Sequence, residues 1–144
     1  MSAAAQAEVL QVAADLVARF GAHDVQAYFA AFAPDATFIF HTTPAILYSR
    51  AAYKDLWQIW ESRDGFRVLG CRSTEPHVAV HGDTAIFTHR VETQLAFGTD
   101  KFTTEERETI VFQQQEDGTW LAIHEHLSPV ALIPDASEPL GVSK

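Results

Sequence analysis

Residues 105–128, EERETIVFQQQEDGTWLAIHEHLS, restrict the possible folds of this chain more than any other stretch, because they read as two long strands closed by one tight turn. Asp117 and Gly118 suit the centre of a two-residue hairpin, where both positions need positive φ. With Glu116 facing Thr119, Gln113 faces Ala122, Val111 faces His124, Thr109 faces His126 and Arg107 faces Ser128, all on one side of the ribbon. The other side carries Ile110, Phe112, Leu121, Ile123 and Leu127, with Glu108 and Glu125 toward one end.

Two unlike faces on one ribbon leave two arrangements open. Trp120, Val111 and Ala122 stand among Arg107, Thr109, His124 and His126, a mixture typical of a pocket wall, so the histidine face is expected to line a cavity. The alternative turns that face to water and packs the aliphatic side against helices.

The rest of the chain supplies those helices first. Val9, Leu10, Val12, Ala13, Leu16, Val17 and Phe20 recur at helical spacing over 3–20, and Gly21 ends the run. Asp24 caps a second, short helix carrying Tyr28 and Phe29, and Pro34-Asp35 breaks it. Residues 37–42, TFIFHT, read as a strand, and Ser49 caps a third helix over 50–62. From Gly65 the pattern is extended. Residues 66–80 form one strand bent at Pro76, Gly82-Asp83 a hairpin turn, and 84–97 a long strand. Pairing Phe97 with Phe102 sets Arg90 opposite Thr109 and Glu92 opposite Arg107, both on the histidine face. Helices followed by an antiparallel meander predict an α+β fold, a strongly curved sheet wrapped around N-terminal helices. One domain over 1–134 is expected, with a flexible tail over 135–144.

Charge and composition narrow the partners. A formal net charge of -9 without a basic stripe argues against nucleic acid and anionic membranes. The single cysteine, Cys71, excludes an internal disulfide and a cysteine-based zinc site. Glu8, Asp15 and Arg19 interrupt the apolar N-terminal run, so it does not read as a secretion signal, and a cytoplasmic location is expected.

The strings FAPDATF at 32–38, VHGDTAI at 80–86, EPH at 75–77, DGTW at 117–120 and HEHLS at 124–128 together resemble the nuclear transport factor 2-like (cystatin-like) superfamily. Within it, the chain is similar to the SnoaL-like branch and to the association domain of calcium/calmodulin-dependent protein kinase II. The resemblance implies a cone-shaped α+β barrel and a homodimer formed through the outer, convex sheet face, here expected to be the aliphatic side of the opening ribbon. It also sets Arg90 at a pocket-arginine position of the kinase association domain, with Val111 where another would stand and Arg107 two steps along. Steroid-isomerase members carry a carboxylate base where this chain has Phe40, so that chemistry does not transfer.

These readings nominate a pocket for a small, mostly apolar ligand and a lyase, isomerase or cyclase of ketosteroid isomerase-like type. His126 is the candidate acid/base and His124 its neighbour, since imidazole titrates near neutrality. Arg90, Arg107, Thr109 and His41 are candidate ligand contacts, joined by Tyr28 and Trp57 from the helices' aromatic stripe. A non-catalytic module that binds a carboxylate on Arg90 or drives oligomerisation is the other reading. His124 and His126 alone do not complete a metal site, and no metal or cofactor is expected.

Overall fold

The structure, a computed structural model, describes residues 3–130. Its elements are α1 (Ala3–Gly21), α2 (Val25–Ala30), β1 (Phe32–Phe40), α3 (Arg50–Asp64), β2 (Phe66–His81), β3 (Thr84–Phe97), β4 (Asp100–Gln114) and β5 (Trp120–Pro129). The sheet order is β1-β5-β4-β3-β2, with β1 parallel to β5 and the other neighbours antiparallel. The expected tail over 135–144, like residues 131–134, lies outside the described residues. None of the described helices is long and apolar enough to cross a membrane.

Local chemistry accounts for the element ends. The Asp24 carboxylate accepts from Ala27 N at 3.3 Å to start α2, and Ser49 Oγ accepts from Ala52 N at 3.0 Å to start α3. Helix α3 stops at Gly65, whose left-handed φ of 66° lets its N–H return to the Trp60 carbonyl. The β2 ladder slips between Thr74 and His77, where Glu75 takes φ 54° ahead of Pro76, as the sequence expectation of a bend requires.

Register in the opening ribbon departs from the two-residue turn. Gln115 N donates to Thr119 O at 2.7 Å and Gly118 N to Gln115 O at 2.9 Å, so three residues, 116–118, make the loop, with Gly118 at φ 90°. Gln114 therefore pairs with Trp120 and Gln113 with Leu121, one residue off the expected match. Beyond that the ladder slips between Phe112 and Val111, leaving Ile123 as an extra residue, and Val111↔His124, Thr109↔His126 and Arg107↔Ser128 follow as expected. The bulge moves Trp120 and Ala122 off the histidine face and onto the side that carries Ile110, Phe112 and Glu125.

That side is the concave one, which corrects the assignment of the two faces. Ile110, Phe112 and Ala122 are fully buried, with Ala85 and Phe87 beside them, while His126, Arg90 and Arg107 are exposed and His124 and Thr109 half-buried. The aliphatic face expected at a subunit interface is instead core. Energetics favour this arrangement: burying a side chain such as Phe112 or Ile110 gains about 1.5–3 kcal/mol. Enclosing two arginines without partners would cost several kcal/mol apiece. The β3–β4 turn is also tighter than expected, with Phe97 opposite Asp100, so Arg90 faces Arg107 and Glu92 faces Glu105 on the convex side.

Aromatic rings fill the space between sheet and helices. Tyr53 stacks on Phe38 at 4.6 Å and Phe29 at 4.9 Å between ring centroids, and Trp57 meets Phe66 at 5.0 Å. Gly65 and Gly98 tie α3 to the β3–β4 turn through a 3.1 Å backbone hydrogen bond, and a Cβ on Gly65 would lie 2.9 Å from Gly98 N. Gly82 has a similar φ of 65° but open space around it. Gly82→Ala is expected to cost about 1 kcal/mol for the left-handed conformation alone. Gly65→Ala adds the clash and should reach about 2–3 kcal/mol in urea denaturation. Equal costs would mean that the Gly65–Gly98 approach does not constrain the fold.

Candidate active site

Between the concave face and the helices lies a cavity of about 610 Å³. Aromatic side chains from all three helices and both long hairpin strands wall it, among them Phe20, Tyr28, Tyr53, Trp57, Phe66 and Phe102. Of the residues nominated from sequence, Tyr28, Trp57 and His41 line this cavity. His124, His126, Arg90, Arg107 and Thr109 do not; the convex sheet face holds them. His124 Nδ1 lies 2.7 Å from Thr37 Oγ1, its ring is 6.3 Å from that of His126, and Arg90 reaches Glu75 at 3.9 Å.

The polar groups that do reach the cavity come from the aliphatic face. Glu108 on β4 and Glu125 on β5 are 7 % and 3 % exposed, line the cavity and are hydrogen-bonded to each other. Tyr28 Oη on α2 points to Glu125 Oε1 at 3.5 Å and lies 3.0 Å from Tyr53 Oη on α3. Behind Glu108, His89 Nε2 on β3 sits 2.6 Å from Glu108 Oε1, and His89 Nδ1 sits 2.6 Å from Ser73 Oγ on β2. Two helices and four strands thus contribute to one chain, Tyr53–Tyr28–Glu125–Glu108–His89–Ser73. At the rim, His41 Nε2 meets Glu106 Oε2 at 2.5 Å.

A SnoaL-like domain model matches residues 9–132. The chain belongs to this SnoaL-like family. Among solved structures, this SnoaL-like domain is similar to the S. rosetta CaMKII hub, with TM-score 0.71 and 23% identity over 90% of this chain and 100% of that one. It is similar to an NTF2-like protein of unknown function from Pseudomonas putida KT2440, with TM-score 0.72 and 21% identity over 97% and 95%. A protein from Parabacteroides distasonis ATCC 8503 assigned as a ketosteroid isomerase gives TM-score 0.67 and 14% identity over 86% of each chain. These likenesses establish the fold. No curated protein matches the chain.

Electrostatics of the chain of groups follow from burial without a cation. Burial raises Glu125 well above the usual carboxyl range, and the neighbouring Glu108 charge and hydrogen bond raise it further. Burial raises Glu108 as well, while the hydrogen bond from Glu125 works the other way. Glu125 is thus pushed up more strongly than Glu108 and is the carboxyl of the pair that holds a proton more readily. Burial lowers His89 to about 4, so its imidazole is neutral, and the 2.6 Å contact is an N–H donated to the carboxylate rather than an ion pair. Ser73 then donates to Nδ1. Tyr28 and Tyr53 are raised by burial first and the Glu125 charge second, and both stay protonated. Cys71, also on the cavity wall, is pushed up to about 12 by burial and is no thiolate nucleophile. Among the described residues, no group of three or more His, Cys, Asp or Glu side chains is placed to hold a metal ion.

The glutamate pair and His89 were legible in part. Two carboxylates on an otherwise aliphatic strand face are the sequence signal for a buried acid pair. The alternation Ala85, Phe87, His89, Val91 also puts His89 on the inner face of β3.

The pair makes stability depend on pH with a definite sign. Raised folded values mean that the native chain binds more protons than the unfolded one above the ordinary glutamate value. The contribution is full below about pH 4.3 and is lost as pH rises through the raised values. His89 acts oppositely: its contribution is present above pH 6.5 and is lost as pH falls toward 4. In Glu125→Gln the amide can donate to Glu108 and accept from Tyr28, leaving no second carboxyl to ionise. Its unfolding free energy at pH 8 should exceed the parent's. Its decline above pH 6 should be shallower. A steeper alkaline decline in the variant would contradict the raised Glu125 value.

Proposed function

We propose that this SnoaL-like domain binds a small, mostly apolar molecule in the cavity and moves a proton on it with the Glu108–Glu125 pair, as an isomerase, lyase or cyclase would. One observation carries the reading: two buried carboxyl groups, Glu108 and Glu125, stand together on the wall of an aromatic cavity without a lysine or arginine partner among the described residues. Burial raises both carboxyls above the ordinary glutamate range, the direction that suits a carboxyl for general acid–base work. Tyr28 donates its O–H to Glu125 Oε1 and so orients that carboxyl, with Tyr53 Oη 3.0 Å behind it. In this reading the glutamates take the acid/base role that sequence patterning gave to His126 and His124. Tyr28, Trp57 and His41 keep their role as ligand contacts.

Proton exchange tests this role without a natural substrate in hand. Neutral cyclic ketones and lactones that raise the melting temperature are incubated with the protein in D₂O, and exchange of their acidic C–H groups is followed by proton NMR. Glu108→Gln and Glu125→Gln should each slow enzyme-dependent exchange by about 100-fold or more. His126→Ala should stay within about twofold of the parent. Loss of exchange in His126→Ala with retention in both glutamine variants would overturn the assignment. Binding without exchange in the parent would leave a binding module.

The convex face supports a second role, as the surface where a second copy pairs. Ile86 is 40% exposed there, in register with Val111 and His124, and the hub structures provide the precedent of an assembling relative. Ile86→Glu is expected to halve the mass seen by light scattering of a chromatographed sample. An unchanged mass would remove this face from the interface.

A further inference from the structure

The cavity wall holds Asp64, Asp100, Glu106, Glu108 and Glu125, and it holds no lysine or arginine. Asp64 is paired with Arg63 at 2.8 Å and Asp100 is exposed to solvent, while Glu106 has only the His41 imidazole, 2.5 Å away. Glu108 is bonded only to groups that carry no positive charge, the neutral His89 and the Glu125 carboxyl. Among the described residues, no lysine or arginine therefore meets the buried Glu108–Glu125 pair, whose side-chain neighbours are an imidazole and a phenol. A buried charge is best stabilised by an opposite charge, and here none comes from the protein. The surrounding wall is also the kind that attracts cations. Trp57, Trp60, Phe66 and Tyr53 present aromatic rings to the same space, and ring faces hold ammonium groups through their quadrupoles.

We propose that the ligand of this cavity is a lipophilic amine, bound as its ammonium cation over the Glu106–Glu108 stretch of β4 with its apolar frame against the aromatic wall. The proposal rests on the acid–base reading above and names the class of molecule it acts on. Glu106 and Glu108 stand two residues apart on the same face of β4, about 7 Å along the strand, a span that one ammonium can bridge. Charge placed there leaves the Glu125 proton free for delivery to the ligand. Acids and phosphate esters are disfavoured, since they would set like charge against the carboxylate with no cationic side chain to receive them. Arg90 cannot supply that cation, because it lies on the opposite face of the sheet.

Three compounds with one indole frame separate the possibilities: tryptamine, tryptophol and indole-3-acetate, titrated calorimetrically into the full chain at pH 8. Tryptamine is expected to bind at least tenfold tighter than tryptophol, and indole-3-acetate more weakly than either. In the Glu106→Gln, Glu108→Gln double variant the preference for tryptamine over tryptophol should shrink to within about twofold, with a retained cooperative melting transition confirming the fold. Equal or tighter binding of tryptophol or indole-3-acetate to the parent overturns the amine proposal and leaves the apolar cavity reading intact. Persistence of the preference in the double variant overturns it too, by moving the cation elsewhere. If none of the three binds, the amine proposal fails. If neutral ketones and lactones also fail to raise the melting temperature, the cavity reading fails with it.

Discussion

Side chains along a strand alternate with a period of two, so one unpaired residue hands everything beyond it to the other face. In β5 that residue is Ile123. Because of it, Trp120 and Ala122 share the concave face with Glu125 and Leu127, although a regular strand would set Trp120 and Ala122 beside His124. Trp120 can then donate to Glu8 at 3.0 Å and hold the start of α1 against the sheet, while Glu125 reaches the cavity at the other end of the strand. One inserted residue couples the anchoring of a helix to the placement of an acid.

Much of this architecture is written locally. Asp24 and Ser49 cap the helices that their positions announce, Pro76 marks the bend in β2, and 84–97 forms the strand its alternation describes. What local pattern does not carry is the count of residues in a loop. Asp117-Gly118 suits a two-residue turn, yet Glu116 joins it, and the resulting one-residue slip is undone only at Ile123. The two displacements cancel for Val111 and His124 and leave Trp120 on the wrong side in between. With Trp120 and Ala122 counted beside Val111, the histidine face takes on the mixed character of a pocket wall.

A physical tie-breaker was nonetheless available. Both faces of the ribbon carry ionisable groups, arginines and histidines on one and glutamates on the other. A glutamate can shed its charge by binding a proton, at a cost set by how far pH lies from an ordinary value near 4.3. Arginine has no such option. The face that can become nearly neutral goes inside, and Arg90 and Arg107 stay in water. Inside, Tyr53, Tyr28, Glu125, Glu108, His89 and Ser73 form one run of polar groups in which burial raises both carboxyls toward their neutral forms. Packing of Tyr28 and Tyr53 among Phe29, Phe32 and Trp57 fixes the phenols in that run.

Fold and chemistry separate at this point. The same fold serves proteins named for a kinase hub and for a ketosteroid isomerase, so the fold alone does not set the chemistry. In this chain the end of β1 contributes Phe40 to the cavity, and Arg90 lies on the outer face of β3. Charge enters instead from adjacent positions on β4 and β5. A strand pair holds its side chains at fixed spacing, so two carboxyls on facing strands meet at hydrogen-bond distance without help from flexible loops. That spacing sets the glutamate pair on the cavity side of the ribbon and the histidines on its far side.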